Sequence, residues 1–291
     1  MQDAIRRTFE AMADLSAPSG AEGPLRDWLR HELESKGAAT EVDAVGNLLA
    51  HKGDGGQLLL LGLDEPTFIA TGGGPGGKGA GASGTDLKND ALAGRLVRAQ
   101  RQEALLRIEK DELTFDPLDE AFAVGQSAVF AAERRVVHDA LIGPDSGRRA
   151  CIAAALAAVA DLRDMTLVGL SRSAFSPQGG ASLLLRARRP QGVALDVLDE
   201  DDGNEIGCGP VLLARAKGYA APPKMRSLRR DGVTVAVRPE FRTLAARLLP
   251  AGVEGLAVGL LARYRGGDQE RIAYQDANGL ADLLREVLAA S

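Results

Sequence analysis

Cysteine is nearly absent from this chain of 291 residues, which carries only Cys151 and Cys208. Two thiols cannot make a disulfide framework, and both sit in apolar contexts, so they read as reduced core residues of a cytoplasmic protein. Histidine is almost as scarce, with His31, His51 and His138. His31 falls on the charged side of a helix, His51 leaves a strand and His138 lies beside Asp139; such single histidines are surface or satisfied core residues. No apolar run is long enough to cross a bilayer, and Met1 to Arg7 leads into an amphipathic pattern instead of a signal-peptide stretch. A basic cluster is missing too. The formal charge is −5, with acids spread among the bases, which excludes a nucleic-acid-binding face. The pairs Arg148-Arg149 and Arg229-Arg230 are read as solvated surface.

What remains is an ordinary globular composition, 45% hydrophobic and 26% charged, sufficient for one large α/β domain with a smaller insert. Ile5, Phe9, Met12 and Leu15 recur at helical spacing and predict an amphipathic helix ending near Ser16. Leu25, Trp28, Leu29 and Leu33 predict a second, closed by Gly37. Thr40 to Val42, Asn47 to His51 and Gln57 to Leu63 read as strands, and the nearly all-Leu character of the last predicts burial on both faces in mid-sheet. Residues 71–84 are so rich in glycine that a flexible loop is expected. From about 85 to 141, charged and alternating stretches predict a shortened, β-rich insert at 71–141 within a main domain at 1–70 and 142–291. Beyond it come an Ala-rich helix from Arg148 to Leu162, strands at Met165 to Leu170, Val193 to Leu198 and Gly255 to Leu261, and a final helix from Ala277 to Leu288. The alternation predicts a three-layer α/β/α sandwich around a mostly parallel mixed sheet.

Three motifs tempt and fail. Gly72 to Gly79 misses the hydroxyl after Lys78 and the helix that a phosphate loop requires. Gly169-Leu170-Ser171-Arg172-Ser173 lacks the final glycine of a nucleophile elbow, and no histidine follows it. In Leu198 to Gly203 an apolar residue takes the first ligand position of a calcium loop, so a solvated acidic loop is expected.

The remaining motifs carry a specific likeness. Leu15-Ser16-Ala17-Pro18-Ser19-Gly20-Ala21-Glu22, Asp43 to Leu48 and Asp64-Glu65 come first. Ile206 to Pro210 and Arg263-Tyr264 with Glu270 and Asp276 follow. In order and spacing this set resembles the tetrahedral, or TET-type, family of co-catalytic di-zinc aminopeptidases, which includes glutamyl and leucyl aminopeptidases and proteins once called endoglucanase M. The resemblance implies an aminopeptidase-like fold, a metallopeptidase ancestry and self-association as a dimer or larger homo-oligomer, with an active paralogue as a further candidate partner.

The same resemblance implies a damaged metal centre. The family's first zinc-binding histidine corresponds to Gly62, just before Asp64 and Glu65, and its second to Gly266. The bridging aspartate corresponds to Asp145 and the second aspartate to Asp196. The segment that supplies general base and glutamate ligand falls at Ser173-Ala174-Phe175, and a Thr-Asp-Ala segment near the substrate reads Thr243-Leu244-Ala245. Two carboxylate ligands therefore survive as vestiges, and no imidazole does. Zinc draws affinity from nitrogen and sulfur donors, so no tight zinc site and no cofactor are expected. A base is also missing, which by itself costs about a hundred- to ten-thousand-fold in rate. Three readings follow: a non-catalytic relative with a structural, regulatory or binding role; a divergent hydrolase in which Asp145, Asp196 and Asp268 or Glu270 hold a weakly bound divalent cation; or a cleft that binds a peptide or small molecule without turning it over.

Overall fold

Leu25, Leu29 and Leu33 are fully buried along one stripe of the helix Gly23–Ser35. Ile5, Phe9 and Met12 do the same around the helix Gln2–Ala11. These residues belong to the computed structural model, which describes residues 2–72, 79–81, 89–109, 112–160, 162–172, 191–201, 203–223, 228, 231–247 and 252–289.

Among the described residues, nine strands form the main sheet. Its path runs Ala39–Val42, Leu48–Lys52, Met165–Leu170, Leu58–Gly62, Gln191–Asp199, Glu254–Ala262, Val211–Ala216 and Tyr219–Ala220, with Thr234–Arg238 paired to Val211–Ala216. The three pairings among the four central strands are parallel, and the flanking pairs are mixed. Leu58–Gly62 is buried at every position in mid-sheet, as its unbroken apolar run predicts for a strand covered on both faces. One face meets the helices Gln2–Ala11, Gly23–Ser35, Ser146–Val159 and Tyr274–Ala289. The other is covered by the 3-10 turn Leu244–Arg247 and its neighbours Phe241 and Val253.

Among the described residues, a six-stranded antiparallel sheet, from Phe68–Ala70 to Ser127–Phe130, packs on its own small core around Phe68, Phe115 and Phe130. Most of the expected Gly-rich loop lies outside the described residues, as does the nucleotide-loop-like Gly73 to Lys78. Among the described residues, Arg135–Val137 pairs with Ala140–Ile142, which in turn pairs with Arg271–Ala273 in a separate three-stranded sheet.

Parallel order positions the site. Leu58–Gly62, Met165–Leu170, Gln191–Asp199 and Glu254–Ala262 all run the same way. The loops after them, carrying Asp64-Glu65, Ser171, Asp199 to Asp201 and Gly266, therefore emerge at one end of the sheet, the usual seat of chemistry in such folds.

Candidate functional site

Asp64 and Glu65 follow the central strand directly and are buried, with 0% and 1% of their surface exposed. A buried carboxylate must find donors or lose its charge. Glu65 accepts from the backbone of Ala17 at 2.5 Å and from Ser16 Oγ at 3.1 Å. Its other oxygen takes the Arg134 guanidinium, with Arg149 Nη2 3.7 Å away. Asp64 accepts from Ser19 Oγ at 3.0 Å and from Arg148 Nη1 at 2.9 Å. The Ser16-to-Ser19 turn of the first motif thus folds onto the acid pair of the third.

Asp145 precedes the helix Ser146–Val159 in a left-handed conformation, φ 58°. Its carboxylate lies 3.6 Å from Arg148 Nε and 3.5 Å from Arg149 Nε. Its Oδ2 has no hydrogen-bond partner, and burial pushes its pKa up to about 7, against the pull of both arginines. Arg149 is wholly buried; desolvation and neighbouring Arg134 lower it to about 10, which still leaves it charged at neutral pH. The expectation that Arg148-Arg149 is solvated surface is therefore corrected. Both side chains turn inward because Asp64, Glu65 and Asp145 meet the first turn of that helix. Arg134, which no motif announced, completes the group and also donates to Ala13 and Pro144 carbonyls at 2.8 and 2.7 Å.

Gly266 lies at φ 72° and donates its backbone N–H to Glu270 Oε2 at 2.6 Å. The other oxygen of Glu270 accepts from Gly147 N at 2.5 Å. Burial raises the Glu270 pKa, opposed by those two amides. An imidazole at 266 would need a left-handed backbone that side-chain-bearing residues rarely adopt. Asp196 is drawn elsewhere. Thr243 Oγ1 and the Leu244 backbone donate to it, so it faces the 3-10 turn, while Val197 beside it packs toward the helix Ser146–Val159. The chain thus gathers Asp64, Glu65, Asp145 and, through Glu270, Gly266. It does not bring Asp196 into that group. Ala174 and Phe175 lie outside the described residues.

The donor set does not fit a zinc pair. Gly62 and Gly266 offer no side chain, and His31 and His138 are exposed while His51 bonds Thr166 at 3.2 Å. Residues 173–190 contain no Asp, Glu, His or Cys. Among the described residues no three His, Cys, Asp or Glu side chains converge to hold an ion. Asp268 pairs with Arg95 at 2.9 Å, and Glu270 is committed to two amides. Guanidinium groups sit among Asp64, Glu65 and Asp145, and a divalent cation there would meet positive charge.

The other motifs resolve structurally. Ser171 Oγ donates to buried Glu22 at 2.6 Å and its backbone N–H donates to Asn47 Oδ1 at 2.9 Å; Asn47 in turn is held by Asp43. Asp276 accepts from the backbone N–H groups of Gly207 and Gly209 at 2.7 and 2.8 Å, and both positions favour glycine because they lie at φ 95° and 92°. Asp199, Glu200 and Asp201 are paired with Arg265, Arg263 and Arg238. Cys151 is buried, but Cys208 is exposed, contrary to the core position expected of it, because Gly207-Cys208-Gly209 is an outward turn.

No protein-family model and no curated protein matches the sequence. Solved structures do: the fold is that of the TET-type aminopeptidases. The TET1 peptidase of Pyrococcus horikoshii, which assembles into a tetrahedron or a large octahedral shell, superposes with a TM-score of 0.83 at 18% identity over 98% of this chain and 99% of that one. An aminopeptidase from Desulfurococcus kamchatkensis gives 0.86 at 17%, over 100% and 96%. A Thermotoga maritima protein described as an endoglucanase gives 0.74 at 16%, over 96% of each chain.

Proposed function

We propose that this chain is a non-catalytic relative of the di-zinc aminopeptidases, a pseudoenzyme that keeps the scaffold for a structural, regulatory or binding role in a cytoplasmic homo-oligomer. One observation supports this above the others: Asp64, Glu65 and Asp145 are engaged by Arg134, Arg148 and Arg149 instead of facing an open ion site. Under this reading no ion lowers the pKa of a water beside these groups, and the catalytic power of such sites depends on that lowering.

The test is metal analysis of protein purified without chelators, together with hydrolysis of aminoacyl chromogenic substrates. Expected are substoichiometric zinc, no turnover above buffer, and a melting temperature unchanged by chelator. Stoichiometric zinc with measurable turnover would remove the reading.

A second reading, ligand binding without turnover, is favoured by a cavity of about 520 Å³ beside the same sheet end, lined by Leu198, Asp199, Arg238, Phe241 and Arg265. Arg265 lies over the Phe241 ring, 5.6 Å from its centroid. A thermal-shift screen with short peptides addresses it, and a flat response across the panel would count against it.

A further inference from the structure

The insert and the main domain bury separate cores. Among the described residues, the buried set around Phe68, Leu106, Phe115 and Phe130 shares no member with the two cores of the main sheet. The chain crosses between the two bodies at residues 63–67 and 131–134. These crossings are tied together at their base, where Arg134 on the outgoing one meets Glu65 on the incoming one. Another tie starts inside the insert. Arg95, just before the strand Leu96–Ala99, sends Nη1 to both oxygens of Asp268 at 2.9 and 3.1 Å. Its Nε donates to the Ala91 carbonyl at 3.2 Å, so the direction of the guanidinium is fixed from the insert side.

Asp268 stands on the loop that joins Glu254–Ala262 to Arg271–Ala273. Arg263 and Arg271 exchange backbone hydrogen bonds across the base of that loop at 3.0 and 2.9 Å. Arg265, three residues before Asp268, pairs with Asp199 at 2.9 Å and lines the cavity beside the sheet end. One loop therefore touches both the insert and the cavity. Bodies with separate cores, joined by a small polar contact, move relative to each other by default.

We propose that the insert is a hinged body, turning on the two crossings tied by Arg134, and that the Arg95–Asp268 ion pair is the latch that holds it against the loop 263–271. The pair is suited to a latch because it is directional yet weak. Arg95 leaves 44% of its side chain exposed, and a pair that open to water is screened by salt and shifts a two-state balance by about two- to fivefold. The latch stands whether or not the cavity takes a ligand.

The experiment is hydrogen–deuterium exchange, read by mass spectrometry on the full chain, for wild type, Arg95→Ala and Asp268→Ala. Each substitution must be felt on the opposite body. Asp268→Ala is expected to speed exchange at residues 92–96, and Arg95→Ala at residues 263–271, each about two- to fivefold. Exchange within Gln102–Glu109 and Leu58–Gly62 is expected to stay at the wild-type rate. Salt at 1 M, on the order of a threefold shorter screening length than 0.1 M, should reproduce the effect in wild type and add nothing in either variant. An effect confined to the substituted side, a rise within Gln102–Glu109 in step with it, or a wild type indifferent to salt would overturn the proposal. None of these measurements reads zinc, peptide binding or turnover, so their failure leaves both functional readings standing.

Discussion

Arg134 shows how much one side chain can hold when every polar atom is committed. Its guanidinium meets Glu65 and two carbonyls from separate segments, with 7% of the side chain exposed. Arg134→Ala leaves Glu65 buried with fewer donors, and a loss of about 3–5 kcal/mol is expected in urea unfolding. Arg238→Ala serves as control: its partner Asp201 is 45% exposed, and a change below about 1 kcal/mol is expected. Equal losses would contradict the assigned role. Asp145 makes a prediction about pH. Its folded pKa, about 7, lies above the ordinary 3.8, so the native state keeps a proton that the unfolded chain has already released. The stability this contributes is full below about pH 4 and is lost as pH rises through 7. Asp145→Asn tolerates φ 58° and cannot ionise. Wild type should therefore melt close to the variant at pH 4 and progressively below it by pH 7.5; a constant difference would refute the assignment.

At the scale of elements, the helix Ser146–Val159 is the pivot. It is almost entirely buried because alanine lets it lie close to the sheet, under the helices at either end of the chain. Its entry is tight. A Cβ on Gly147 would stand 2.5 Å from Val197 and 2.9 Å from Glu270. Helix propensity alone favours alanine over glycine by about 1 kcal/mol, yet this crowding reverses the sign, and Gly147→Ala is expected to destabilise by about 1–3 kcal/mol. Gly259 is stricter, since its Cβ would fall 2.0 Å from the Asp196 carbonyl oxygen in the neighbouring strand. Backbone cannot rotate away as a side chain can, so Gly259→Ala should cost more than Gly147→Ala in chemical denaturation. The reverse order would mean that the two strands separate more readily than the helix moves.

For the molecule as a whole, the open matter is association. The proposed homo-oligomer predicts more than one chain per particle in multi-angle light scattering at micromolar concentration. A monomer that persists across concentrations would count against it. Shape similarity covers nearly the full chain of proteins only 17–18% identical, so the same fold is reached from widely different sequences.

Much was determined by the sequence alone. Helical and strand periodicity and the two-sided burial of Leu58–Gly62 depend on local pattern, which is visible in one dimension. The arginine group was decided only by tertiary structure. Arg134 meets an acid 69 residues away and Arg148 one 84 residues away, and nothing in the spacing of Arg148-Arg149 distinguishes a solvated pair from a buried one. A charge can be buried only where an opposite charge is delivered to it, and that delivery is a property of the folded topology, not of the residues flanking the charge.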